Sequence, residues 1–454
     1  MKKLIITLIC ILSSINIATA KNIPNFFDKA FSETGISKHA VSFSVQDIDR
    51  PKKTYELNSE KPMMPASTQK IITTLPAIEV LGEDYNFSTK LYKNKSSNEY
   101  YLVLGADPYF SKKDLKTLLS TIDLPKDKNI SKFYIDDSIF DKNEWGEGWQ
   151  WDDDLNPLMP KFSAYNIDGN LVRVKLTPLK NQPPQIETNV FYPTLMMNFV
   201  RNGEKNDITV SRKNYISANE LTFEGEIATP TEISIPVNNM KEYFNFRVKE
   251  GLKSNKLHYY GKIETKKLPT NNVVLIGEIT HPISSAVKDI YENSNNLVAE
   301  TVFKLAGAKY TKKMGTFDNS YKMIEDFAKN NAIDLSSVKI VDGSGVSKNN
   351  IMTTKFMTEY LVQTVKNNDY DKVVSMLPTP NTEYGTLQNR MLFLEKKLYA
   401  KTGTLSDVSG LVGYIETKKG HKYAFSILIN DAKSSKIEKK TFEELIVREI
   451  YRNL

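Results

Sequence analysis

An α+β fold is predicted, in which an antiparallel sheet covered by helices is split in the chain by a long, mainly β insertion. Three observations predict it. After Ser67 the apolar residues Ile71, Ile72, Leu75, Ile78 and Leu81 recur three and four apart, the spacing of a buried helix. Towards the C-terminus, 398–401, 411–415 and 423–429 read as a strand followed by a hairpin around Lys418-Lys419-Gly420, and 437–454 as an amphipathic helix with Phe442, Leu445, Ile446 and Ile450 on one side. Between these ends lie short alternating runs, such as Leu171-Val172-Arg173-Val174-Lys175-Leu176 and Phe244-Asn245-Phe246-Arg247-Val248, separated by Pro and Asn and read as strands.

In chain order, residues 1–20 have the pattern of a secretory signal: Met1-Lys2-Lys3, an apolar run over 4–17, then Ala18-Thr19-Ala20. The mature chain is expected to begin at Lys21 and to reside in the periplasm. Cys10 is the only cysteine and leaves with the signal, which excludes a disulfide or a thiol mechanism. Large Ile9 before it argues against a lipid anchor. No later run is long and apolar enough to span a bilayer.

Residues 21–82 are expected to open the sheet domain, with a hairpin of 41–46 and 54–57 around Asp49-Arg50-Pro51, followed by the helix after Ser67. Pro76 lies inside that helix and predicts a bend beyond its first turn. Residues 83–270 form the insertion, read as two nested units, and 271–454 complete the sheet domain. The 454 residues exceed what one compact core supports.

The 61 basic and 54 acidic residues are interspersed, for a net charge of +7, which argues against a dedicated nucleic-acid surface. The mild basic bias suits at most peripheral contact with anionic membrane or wall polymers. His39, His258, His281 and His421 are far apart and form no metal-ligand pair, so neither a metal nor a cofactor is expected.

The chemistry concentrates in three polar segments. Ser67-Thr68-Gln69-Lys70 stands at the start of the first predicted helix, where residues three apart share a face, so the serine hydroxyl and the lysine amine can meet. The second Ser-x-x-Lys, Ser336 to Lys339, leads into Val338-Lys339-Ile340-Val341, which alternates like a strand and would point the two apart. A serine hydroxyl is a weak nucleophile and needs a base, and Lys70 can be one only if burial and a second cation disfavour its charged form. Lys401 is the candidate second cation. Free amides at the helix start favour negative charge on Ser67 and on an oxyanion beside it.

In Lys401-Thr402-Gly403-Thr404 a strand can present Lys401 and Thr404 to a substrate carboxylate and a backbone N–H to the oxyanion, while Gly403 admits a close backbone. Asp342-Gly343-Ser344-Gly345-Val346-Ser347-Lys348-Asn349-Asn350 reads as a loop. In it Ser347 is suited to relay a proton to a leaving amine, and the Asn349 amide to hold Lys70 and a substrate carbonyl. Ser344 and Asn350 are competing assignments that spacing does not separate.

With these residues in hand, the chain resembles the D-alanyl-D-alanine carboxypeptidase/endopeptidases of the class C low-molecular-mass penicillin-binding proteins, the DacB type. The resemblance runs over nearly the whole mature chain and rests on Met64-Pro65-Ala66-Ser67-Thr68-Gln69-Lys70, Asp342-Gly343-Ser344-Gly345-Val346-Ser347, Ala400-Lys401-Thr402-Gly403-Thr404 and Asn293-Ser294-Asn295-Asn296-Leu297-Val298-Ala299-Glu300. It implies a transpeptidase/β-lactamase-like domain split by mainly β inserted domains. It implies acylation of Ser67 by peptidoglycan stem peptides, with release of D-Ala and hydrolysis of the ester, and β-lactams as covalent inhibitors. It also implies that an acid in Trp149-Gln150-Trp151-Asp152-Asp153-Asp154 contacts the free amine of the stem peptide's diamino acid, and Asp153 is the best match.

A β-lactamase with the same serine and lysine is an alternative, although no motif marks the extra carboxylate base such an enzyme often uses. A wall-binding scaffold without turnover is another, and loss of a motif residue would favour it. Carboxypeptidase and endopeptidase action are one reaction at a D-Ala carbonyl, which the sequence does not separate.

Overall fold

A computed structural model describes residues 26–124, 129–190, 195–212 and 220–454. Residues 1–20, read from the sequence as a secretory signal, and Cys10 among them lie outside the described residues. A five-stranded antiparallel sheet runs in the order Leu398–Thr404, Val408–Glu416, Lys422–Asn430, Val41–Asp47, Thr54–Leu57. The predicted N-terminal hairpin is its edge, and Val41 pairs with Ile429 to join the two ends of the chain.

Alternation along Val41–Asp47 sets what covers each face. Val41, Phe43 and Val45 face a core built with the helices Phe26–Thr34 and Lys436–Asn453, where Phe27 meets Phe43 and Phe31 meets Phe442 at ring separations of 5.2 and 5.0 Å. Ser42 and Ser44 point the other way and bond Thr354 and Thr358 of the helix Thr354–Asn367 at 2.7 and 2.8 Å. On that side lies the helix Lys70–Leu81, packed against the long buried helix Asn296–Thr311. Pro76 is buried within the first of these, and the carbonyl its missing N–H leaves free, that of Ile72, lies 3.5 Å from the Tyr360 hydroxyl.

The insertion contributes a second five-stranded sheet, in the order Glu264–Thr265, Lys132–Asp136, Glu99–Val103, Asn86–Asn94, Val273–Pro282. Because Val273–Pro282 pairs antiparallel with Asn86–Asn94, the strand after residue 270 still belongs to this sheet, and we propose Pro282 as the point where the chain returns to the catalytic domain. Nested within it, two three-stranded sheets share a small core of Val174, Leu176, Val200, Phe223 and Ile235.

Two local expectations are corrected. The run 244–248 is helical, inside Met240–Ser254, because Met240, Tyr243, Phe244, Val248 and Leu252 keep helical spacing over a longer window and the Asn239 side chain accepts the N–H of Glu242. The segment 338–341 forms one isolated bridge, Lys339 to Ile351, rather than a ladder strand.

Candidate active site

The serine sits on a turn held from several sides. The Asn430 side chain bonds both backbone groups of Met64, at 2.8 and 3.2 Å, and Thr68 Oγ1 donates to the Pro65 carbonyl at 2.6 Å. Ala66 adopts φ +48°, a left-handed conformation costly for a residue with a Cβ, directly before the candidate nucleophile. The turn Ala66–Gln69 is a 3-10 helix that runs on into Lys70–Leu81, so Ser67 and Lys70 lie on one face as their spacing predicts.

Lys70 is fully buried, with its Nζ 2.9 Å from Ser67 Oγ, 2.6 Å from Asn296 Oδ1 and 2.7 Å from the Ser344 carbonyl. Burial lowers its pKa to about 7, against the opposing pull of the Asp342 and Glu300 carboxylates. Lys401 is equally buried, and burial followed by the nearby Lys70 charge holds it well below the usual lysine range. Its Nζ lies 2.9 Å from Ser294 Oγ and 2.8 Å from the Thr402 carbonyl. Thr402 is buried and Thr404 exposed at the strand end, while a side chain on Gly403 would come within 3.0 and 3.1 Å of the amides of Thr68 and Ser67.

The amide that holds Lys70 is therefore that of Asn296, not Asn349, and the hydroxyl that touches Lys401 is that of Ser294. This corrects the middle segment of the site. Asn349 is exposed, and its backbone N–H donates to Ser347 Oγ at 3.2 Å. Asn350 is buried as a loop tie, donating to Asp342 Oδ1 and to the Ser347 carbonyl, both at 2.9 Å. Ser344 contributes its carbonyl to Lys70. The physical reason lies in the helix Asn296–Thr311: the Asn295 side chain caps it through the Val298 N–H, and its first turn faces Lys70. Asp342 binds the other loop together, accepting N–H groups from Gly345 and Ser347, both at 2.7 Å, and from the Trp149 indole at 2.9 Å.

A model of the family described as D-Ala-D-Ala carboxypeptidase 3 (S13) matches residues 26–449. The chain belongs to the S13 family. Among curated relatives, D-alanyl-D-alanine carboxypeptidase DacB of Haemophilus influenzae is 25% identical over 437 residues, which cover 91% of each chain. The crystal structure of penicillin-binding protein 4 (dacB) from Haemophilus influenzae superposes with a TM-score of 0.82 at 22% identity, covering 95% of this chain and all of that one. A structure of that protein in complex with a β-lactam gives a TM-score of 0.74 at 22% identity, over 91% of this chain and 96% of that one.

In this S13 chain the inserted segment reaches the site through its Trp-rich stretch. Gly148 has φ +75°, and a side chain there would meet Ser347 Oγ at 2.5 Å and Asn349 Nδ2 at 2.6 Å. The Leu158 carbonyl accepts Asn296 Nδ2 at 2.8 Å. Between these two contacts, the 3-10 turn Trp151–Leu155 carries the three aspartates. Asp154 is committed to Arg212 at 2.9 Å. Asp153 is half-buried, and burial together with neighbouring Asp152 raises its pKa despite Asn156 and Lys348 nearby.

Proposed function

We propose that Ser67 is the nucleophile of this serine-type D-Ala-D-Ala carboxypeptidase, acylated by the penultimate D-Ala carbonyl of a peptidoglycan stem peptide. The observation that carries the reading is the setting of Lys70. A neutral amine has two N–H groups and one lone pair; with the Asn296 and Ser344 carbonyl oxygens taking the N–H groups, the lone pair falls towards Ser67 Oγ. A pKa brought to about 7 keeps much of Lys70 neutral near pH 7.

As Ser67 Oγ forms its bond to the carbonyl carbon, its proton passes to Lys70. The oxyanion lies at the amides of the Ser67 turn and the adjoining strand Leu398–Thr404. Collapse breaks the peptide bond, and the departing D-Ala amine takes a proton from the Lys70, Ser294 and Lys401 cluster. Water then hydrolyses the ester. Lys401, with Thr402 and Thr404 around it, receives the terminal carboxylate, which favours charge on Lys401 and thereby neutrality on Lys70. Gly403 leaves room for the substrate backbone, and Asp153 is the candidate contact for a free side-chain amine. A cross-linked peptide presents the same carbonyl, so endopeptidase action uses the same steps. β-Lactams acylate Ser67 in place of substrate.

The reading places the enzyme in the periplasm, supported by the signal pattern of residues 1–20; no helix among the described residues is long and apolar enough to cross a membrane. The test is release of D-Ala from a pentapeptide stem. Ser67→Ala should abolish release while leaving the thermal unfolding midpoint unchanged, and retained release would remove Ser67 as nucleophile.

A further inference from the structure

Glu300 lies one turn beyond Asn296 on the same helix, so the two side chains share a face. It is 3% exposed and touches neither Ser67 nor Lys70 directly. Its carboxylate oxygens accept the N–H of Ser344 at 2.8 Å and of Gly343 at 3.0 Å. The Gly343 carbonyl accepts Thr73 Oγ1 at 2.7 Å, and the Ser344 carbonyl is the third partner of Lys70. The same helix thus supplies one of the two carbonyl oxygens that orient the Lys70 amine, through Asn296, and fixes the other, through Glu300.

We propose that Glu300 is a positioning residue for acylation, holding the Gly343-Ser344 backbone so that the Ser344 carbonyl aims the Lys70 lone pair at Ser67. This rests on Ser67 and Lys70 being nucleophile and base. Two N–H groups on its two oxygens fit the ionised form. As a carboxylate, Glu300 also favours the ammonium form of Lys70, as Asp342 does from the loop, while burial opposes both. Glu300 also lines, with Asp342, Asp141, Glu147, Asp318 and Lys304, a cavity of about 240 Å³, in which Lys304 is paired with Asp141 at 2.5 Å. Burial and the Asp342 charge push the Glu300 carboxyl above the usual carboxylate range, with the two backbone N–H groups opposing them.

The two roles separate by substitution. Glu300→Gln removes the charge and turns an N–H₂ towards one of the two backbone N–H groups. Glu300→Asp keeps the charge and shortens the reach. The rate of benzylpenicillin adduct formation on Ser67, followed by mass spectrometry from pH 5 to 9, reads both. Glu300→Gln should move the acid limb to lower pH by about half a unit or more and lower the plateau roughly tenfold, the size of one lost hydrogen bond. Glu300→Asp should leave the limb in place and lower the plateau. An unmoved limb in Glu300→Gln, or, where that variant does not fold, a wild-type plateau in Glu300→Asp, overturns the proposal. Absence of any Ser67 adduct in the wild-type protein would instead overturn the underlying reading of the site.

Discussion

Lys70 and Lys401 are both fully buried lysines whose pKa values burial lowers, and the Lys70 charge lowers that of Lys401 further, a costly arrangement typical of functional sites. The sign of its effect on rate follows directly. Below about pH 7 Lys70 holds its proton and has no lone pair for Ser67; above it the base is free. Acylation by benzylpenicillin should therefore rise with pH through a midpoint near 7 and fall roughly tenfold per unit below it. A rate flat from pH 5 to 8 would exclude Lys70 as the titrating base. The two asparagines give a sharper comparison. Asn296→Ala removes an acceptor 2.6 Å from Lys70 and should slow acylation roughly a hundredfold, whereas Asn349→Ala, on an exposed side chain, should cost less than about tenfold. Equal losses, measured as second-order acylation rates, would return Asn349 to the centre of the site.

At the scale of elements, the site is where one turn, one strand, one helix start and one glycine-rich loop converge, and the inserted Trp-rich segment closes against them. Gly148 is the point of closest approach. Gly148→Ala would put a Cβ 2.5 Å from Ser347 Oγ on a strained backbone of φ +75°, so the segment or the facing Ser347 and Asn349 side chains must shift. Peptide turnover should then fall more than benzylpenicillin acylation, because the stem peptide reaches further along the segment that carries Asp153; equal effects on both would make the contact structural only. The turn and the strand were legible in the sequence because Ser67-x-x-Lys70 and Lys401-Thr402-Gly403 are contiguous strings with a helical or strand context around them. The third contribution was not. Ser294-x-Asn296 and Ser347-x-Asn349 are equivalent as strings, and the glycine-rich setting drew attention to the second. Only the approach of the helix Asn296–Thr311 to Lys70 separates them. One signal was present: a polar Ser-Asn-Asn run with a capping asparagine, directly before a helix whose residues from Leu297 to Ala308 are all buried.

At the scale of the molecule, the five-stranded sheet joins the first and last parts of the chain, which is why Ser67 and Lys401 meet although the insertion separates them. Hydrophobic spacing revealed that sheet and its C-terminal helix, the helix because it buries one face and the central strands because, covered on both faces, they read as near-continuous apolar runs. The insertion was harder to read, because the segment 244–248 alternates over five residues and shows helical spacing only over fifteen. Besides the close approach of Gly148, the insertion touches the proposed site through Trp149 on Asp342 and the Leu158 carbonyl on Asn296. The central claim, a serine made nucleophilic by a neutral buried lysine, is tested most directly by locating the benzylpenicillin adduct by digestion and mass spectrometry and following its loss with time. A slowly lost adduct on Ser67, absent in Ser67→Ala, is the predicted result; an adduct on another residue, or none, would contradict the account.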